Sequence, residues 1–89
     1  MPHAHHRMRR IVPSDTESLK DFDGKTVAME ILCIKKGEVK FLPNGNPEAE
    51  FIKLKVKGGD FLPCEVSKVF ATDTTVKEMY GIYKFNPAG

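Results

Sequence analysis

Two strand-like runs flank Pro43-Asn44-Gly45-Asn46-Pro47, and this junction limits what the chain can fold into more than any other feature. Asn-Gly supplies the positive φ angles of a tight antiparallel connection, and the two prolines stop either run from extending through the loop. Upstream, Thr26–Ile34 (TVAMEILCI) is apolar on both alternating faces, with only Glu30 interrupting. Such a run predicts a central strand covered on both sides. Lys35-Lys36-Gly37 predicts a bulge or bend, after which Glu38–Leu42 continues extended. Downstream, Glu48–Lys57 alternates cleanly, with Ile52, Leu54 and Val56 on one face and Phe51, Lys53, Lys55 and Lys57 on the other. A three-residue loop over Asn44–Asn46 sets Lys40 opposite Glu50 and Val39 opposite Phe51, both sensible pairs. A two-residue turn sets Val39 against Glu50, a poorer match. Gly58-Gly59-Asp60 closes the second run with another turn.

The C-terminal third is less decisive. In Phe61–Phe70, Pro63 restricts any strand to an edge or to the residues after it, with Cys64, Val66 and Phe70 placed on one face. Thr75-Val76-Lys77-Glu78 fits a capping box, and Val76, Met79, Tyr80 and Tyr83 share a helical face. The same stretch, from Met79 to Phe85, is rich in residues that favour sheets. The pattern over residues 75–85 leaves a short helix and a last strand open. Ahead of the hairpin, Ser14-Asp15-Thr16-Glu17 is a second capping box and predicts one helical turn through Leu19 and Phe22. Asp21-Phe22-Asp23-Gly24 faintly resembles a calcium loop but lacks the later ligands and the closing Glu, so a solvated turn is expected.

These elements predict a mainly β domain, a small antiparallel barrel or half-barrel, with a short C-terminal helix as the open variant. The order of long strand, Asn-Gly hairpin, alternating strand, Gly-Gly turn and further strand over Lys25–Phe70 resembles the small OB-fold nucleic-acid-binding domains. The resemblance is one of element layout, and an SH3-like barrel is the near alternative. It implies a sheet surface that contacts nucleic acid.

At 89 residues the chain supports one small domain, expected over residues 14–86, with a flexible basic tail at 1–13 and a frayed end at 87–89. A domain this size buries only roughly two-thirds of its surface, which predicts marginal stability and favours a homodimer that covers exposed edges. Its two cysteines, Cys33 and Cys64, are too few for a disulfide scaffold and too far apart for a CxxC motif. Two buried thiols in a reducing, cytoplasmic compartment are expected, with a single Cys33–Cys64 bridge as the alternative. The longest apolar run, Ile31–Ile34, falls far short of the ~20 residues of a membrane helix, and no secretory-type stretch follows the basic N-terminus.

The net charge of +2 conceals an uneven distribution. Residues 1–13 hold Arg7, Arg9 and Arg10 and no acid, whereas residues 14–25 are acidic overall. The tail reads either as a terminus without a selected role or as a basic arm for a phosphate backbone, and a short strand over Met8–Val12, ending at Pro13, stays open within it. His3, His5 and His6 without a folded frame make a poor metal site, so no metal or other cofactor is expected. Lys53, Lys55 and Lys57 recur every second residue, which spaces their ammonium groups about 6.6–7 Å apart, close to the phosphate repeat of an extended single strand. Phe51 on that face is placed to stack a base, and Lys35, Lys36 and Lys40 widen the basic patch. Lysines on an exposed strand also prevent edge-to-edge pairing, and that role alone accounts for their pattern.

No histidine lies outside the tail, and no GxSxG, P-loop, HExxH or dinucleotide fingerprint occurs. Cys64 has no neighbouring base, and Glu48 and Glu50 lie beside an open turn. A non-enzymatic module for single-stranded DNA or RNA is the leading expectation, with Lys53, Lys55, Lys57, Lys35, Lys36 and Lys40 on phosphates, Phe51 stacking, and Arg7, Arg9 and Arg10 assisting. The alternative is a protein-interaction or regulatory module, an inhibitor or complex subunit, acting through a sheet edge or through Tyr80 and Tyr83.

Overall fold

The computed structural model describes residues 5–85, with the side chain of Phe85 excepted. Among these residues the chain forms seven strands and no helix: β1 (His5–Arg10), β2 (Glu30–Cys33), β3 (Gly37–Pro43), β4 (Ile52–Val56), β5 (Asp60–Phe61), β6 (Val66–Val69) and β7 (Met79–Phe85). They make two antiparallel sheets, one ordered β1-β7-β2-β5 and the other β4-β3-β6. The all-β expectation therefore holds. A closed barrel is not formed among the described residues. The sheets touch through an antiparallel bridge between Met29 and Val66, while β4, β3 and β6 stay a separate ladder.

The core lies between the two sheets. Ile31, Cys33, Met79 and Tyr83 come from one sheet, and Val39, Phe41, Val66 and Val69 from the other. Gly81, in the centre of its sheet, shows how tightly the inner face is packed. A Cβ there would overlap the sulfur of Met29 and come within 2.7 Å of Cδ1 of Ile11, so any side chain at this position would force both to shift.

The ambiguous C-terminal stretch is the central strand of its sheet, with β1 on one side and β2 on the other. Met79, Gly81 and Tyr83 point into the core while Tyr80, Ile82 and Lys84 point away, a period of two rather than of 3.6. The capping box at Thr75 is diverted. Its amide donates to the Glu38 carbonyl at 2.8 Å, and its hydroxyl accepts from the Glu38 amide at 2.9 Å.

The flexible-tail reading of residues 1–13 is corrected for residues 5–11. β1 pairs with β7 from His5–Phe85 to Arg10–Tyr80, and Ile11 belongs to the core. No apolar alternation marks this stretch, in which Met8 is exposed and Ile11 buried; the ladder to β7 makes it a strand. His3 and the end at 87–89 lie outside the described residues.

The helical turn expected after Ser14 does not form. The Ser14 hydroxyl does accept from the Thr16 and Glu17 amides, but Leu19 is then drawn into extended pairing, donating to Ser67 and accepting from Val27. Asp21 makes the expected solvated turn, accepting the amides of Asp23 and Lys25 at 2.9 Å each. The pair of buried thiols is also corrected. Cys33 is buried and Cys64 exposed, both as free thiols. Burial, and secondarily the charge of Asp60, raises the Cys33 thiol above its ordinary value.

Candidate nucleic-acid interface

The outward face of the three-stranded sheet gathers most of the singled-out residues. β4 is an edge strand, and its pairing with β3 runs from Gly37–Val56 to Phe41–Ile52. Val39 and Phe41 bury one face, opposite Leu54 and Ile52. Lys53 and Lys55 occupy the other, opposite Lys40 and Glu38.

This register corrects the hairpin expected from Asn44–Asn46. Lys40 faces Lys53 instead of Glu50, and Val39 faces Leu54 instead of Phe51. The connection contains two successive turns, closed by Asn46 donating to Pro43 at 3.1 Å and Glu50 to Pro47 at 2.9 Å. Meanwhile Leu42 and Pro43 continue as a strand, paired with β6 instead of β4. The β3–β4 ladder therefore ends at Phe41–Ile52, before either proline is reached.

Lys40 and Lys53 would repel across the ladder if nothing compensated. The Lys40 ammonium instead sits 4.2 Å from the centre of the Phe51 ring and 5.0 Å from that of Phe70. The two rings meet edge to face at 5.7 Å. Lys53 lies 3.9 Å from Glu38 on the neighbouring strand. Phe51 remains 47% exposed, so a ring face or edge is still available to a ligand.

Phe70 and Lys68 are not among the binding residues expected from the sequence. Lys68 is 6% exposed, with its ammonium 5.0 Å from the Phe70 ring and 3.8 Å from Glu48 on the loop. A bulge brings them there. Ser67 is an extra residue in β6, its hydroxyl bonded to the Leu42 carbonyl at 3.2 Å, and it allows Val66 and Val69 both to face inward. Lys68 and Phe70 are thereby turned to the outer side, while the sequence pattern had set Phe70 beside Val66.

Lys57 lies just past β4, its amide held by the Asp60 carboxylate at 2.8 Å. The turn carrying it packs on the bend that carries Lys35 and Lys36. Gly59 donates to Cys33 at 2.7 Å, and a Cβ on Gly58 would lie 3.9 Å from Cα of Lys35. Five exposed lysines, Lys53, Lys55, Lys57, Lys35 and Lys36, thus follow the edge strand and end on this bend.

The arginines are placed elsewhere. β1 belongs to the four-stranded sheet, where Arg9 lies 5.0 Å and Arg7 5.8 Å from the centre of the Phe22 ring. Arg9 also donates to the Asp21 carbonyl at 2.8 Å, and Arg10 reaches the Lys77 carbonyl at 3.5 Å. They are fixed to the domain on a different sheet from the lysines. Tyr83 is buried, with its hydroxyl accepting the Phe22 amide at 3.2 Å, whereas Tyr80 lies on the outer face.

Chemically, the lysine-lined sheet face offers monodentate cations at strand spacing beside two aromatic rings. That combination suits a flexible polyanion carrying planar groups. No protein-family model matches the chain, and neither does any curated protein sequence with which it was compared.

Proposed function

We propose that the chain is a non-enzymatic module that binds single-stranded DNA or RNA with little sequence preference, across the outer face of the β4-β3-β6 sheet. One observation carries the proposal: Phe51 and Phe70 meet on the same sheet face as Lys40, Lys53 and Lys55. In this reading Lys53, Lys55 and Lys57 follow successive phosphates, and the exposed side of Phe51 stacks a base. Lys35 and Lys36 extend the path around the bend. Arg7, Arg9 and Arg10 are left out of the path, since they sit on the other sheet. The two bridged sheets fit an open, OB-like half-barrel better than a closed one, which agrees with a binding surface on one sheet.

Fluorescence anisotropy of labelled oligonucleotides, repeated at several salt concentrations, tests the proposal. Binding at low salt is expected, with the logarithm of affinity falling linearly against the logarithm of salt. The triple variant Lys53→Glu, Lys55→Glu, Lys57→Glu is expected to abolish binding while keeping the β-type circular dichroism spectrum. No binding by the native protein at low salt would overturn the proposal.

A further inference from the structure

Among the described residues, nothing folds over the outer face of the four-stranded sheet. Cross-strand register puts Met8 beside Ile82, and Tyr80 beside Leu32, which in turn neighbours Phe61. Met8 is 52% and Phe61 55% exposed, while Tyr80, Leu32 and Ile82 are half-buried among them. The sequence around β2 is apolar on both faces, the pattern of a strand covered twice, yet among the described residues only the Ile31 and Cys33 side is covered. Arg10, beside Tyr80 on β1, and Glu30, beside Ile82 on β2, stand exposed at the rim of this strip, which gives the face the apolar centre and charged margin of an interface.

The charges choose the occupant. Along the outer side of β7 and the residue before it, the order is Glu78, Tyr80, Ile82, Lys84, acidic at one end and basic at the other. The Tyr80 hydroxyl is bonded to Glu78 at 2.9 Å, which confirms that Glu78 lies on this face. Such a strand is complementary to itself when reversed. We propose that this face is the contact of a symmetric homodimer, with β7 of one copy crossing β7 of the other antiparallel. A two-fold axis over Gly81 then lays Tyr80 against Ile82 of the second copy and Glu78 against its Lys84. Aligned packing of two sheets, with strand directions within about 30°, accommodates this arrangement. The lysine-rich face of the other sheet is left free.

Sedimentation velocity over a concentration series reads the outcome directly. The expected result is a mass rising from one chain to two and no further. Met8→Lys and Leu32→Glu are each expected to weaken association by roughly tenfold or more, with oligonucleotide binding unchanged. Met8→Lys changes an exposed edge-strand position and so guards against misfolding of the Leu32 variant. Glu78→Lys and Lys84→Glu should each weaken the dimer, and the double swap should restore it. One-chain mass at every concentration would overturn the proposal, as would association that Met8→Lys leaves intact. Failure of the double swap to restore association would overturn the antiparallel crossing, and mass growing beyond two chains would point to edge pairing instead.

Discussion

Gly81 is a glycine inside a strand, at a place where neighbouring side chains fill the space a Cβ would take. Met29, just before β2, and Ile11, just after β1, are both buried and close over it from the strands that flank β7. A valine there forces both buried side chains to repack. Gly81→Val is expected to cost about 1–3 kcal/mol, the usual range for overpacking, and to lower the urea midpoint without changing its slope. A midpoint equal to that of the native protein would show that the contact is looser than described. Lys68 is a second residue whose surroundings explain its burial. Its stem covers apolar surface beside Leu42, and its ammonium is held between Phe70 and Glu48.

At the scale of elements, the segment between β1 and β2 works as a clasp. Ser14 donates to Val69 and Leu19 to Ser67, so residues 14–19 seal the edge of β6 that β3 leaves open. Asp15 fastens the clasp to the loop before β7, accepting from the Thr72 amide at 2.9 Å and its hydroxyl at 2.7 Å. Those two bonds, the amide first, hold the Asp15 carboxyl below its ordinary value of 3.8. A depressed carboxylate contributes stability that is fully present above its ordinary value and is lost as pH falls through the lower, folded one. Asp15→Ala should therefore lower the melting temperature at neutral pH, and the gap to the native protein should narrow below about pH 4, as measured by thermal melts across pH. A gap independent of pH would assign the loss to something other than the carboxylate charge. The same segment shows what a sequence conveys and what it withholds. The capping bonds of Ser14 form as its motif predicts, but the helix does not, because Leu19 gains more from β6 than from a further turn. Alternation in Ile52–Val56 identified β4 and its lysine face correctly. The partner register was not legible, since it depends on β3 leaving β4 after Phe41 to continue along β6 alone. Phe70 stayed hidden for a related reason: its orientation is decided by one bulged residue, Ser67, which has no local signature.

At the scale of the whole molecule, two sheets around a thin core leave two outer faces with different chemistry. One carries lysines and paired aromatic rings, and the other a band of apolar side chains with charges at its ends. Cationic and stacking contributions on the first face are separable by experiment, because only the former depends on salt. If Lys40, Lys53, Lys55 and Lys57 each meet a phosphate, the slope of log affinity against log salt is expected near about −3 for a single strand, from roughly 0.7 per phosphate. Lys55→Ala should make that slope shallower by about 0.7 and weaken binding evenly across sequences. Phe51→Ala should instead leave the slope unchanged while removing about 1–3 kcal/mol of stacking, a loss of about five- to 150-fold in affinity at every salt concentration. Because Lys40 rests on the Phe51 ring, some coupling is expected between the two positions, and the double variant Lys40→Ala, Phe51→Ala should lose less than the two losses added together. Strict additivity would mean that Lys40 does not act through the ring. A Phe51→Ala variant that lost affinity only at low salt would mean that the ring positions the lysine and stacks no base.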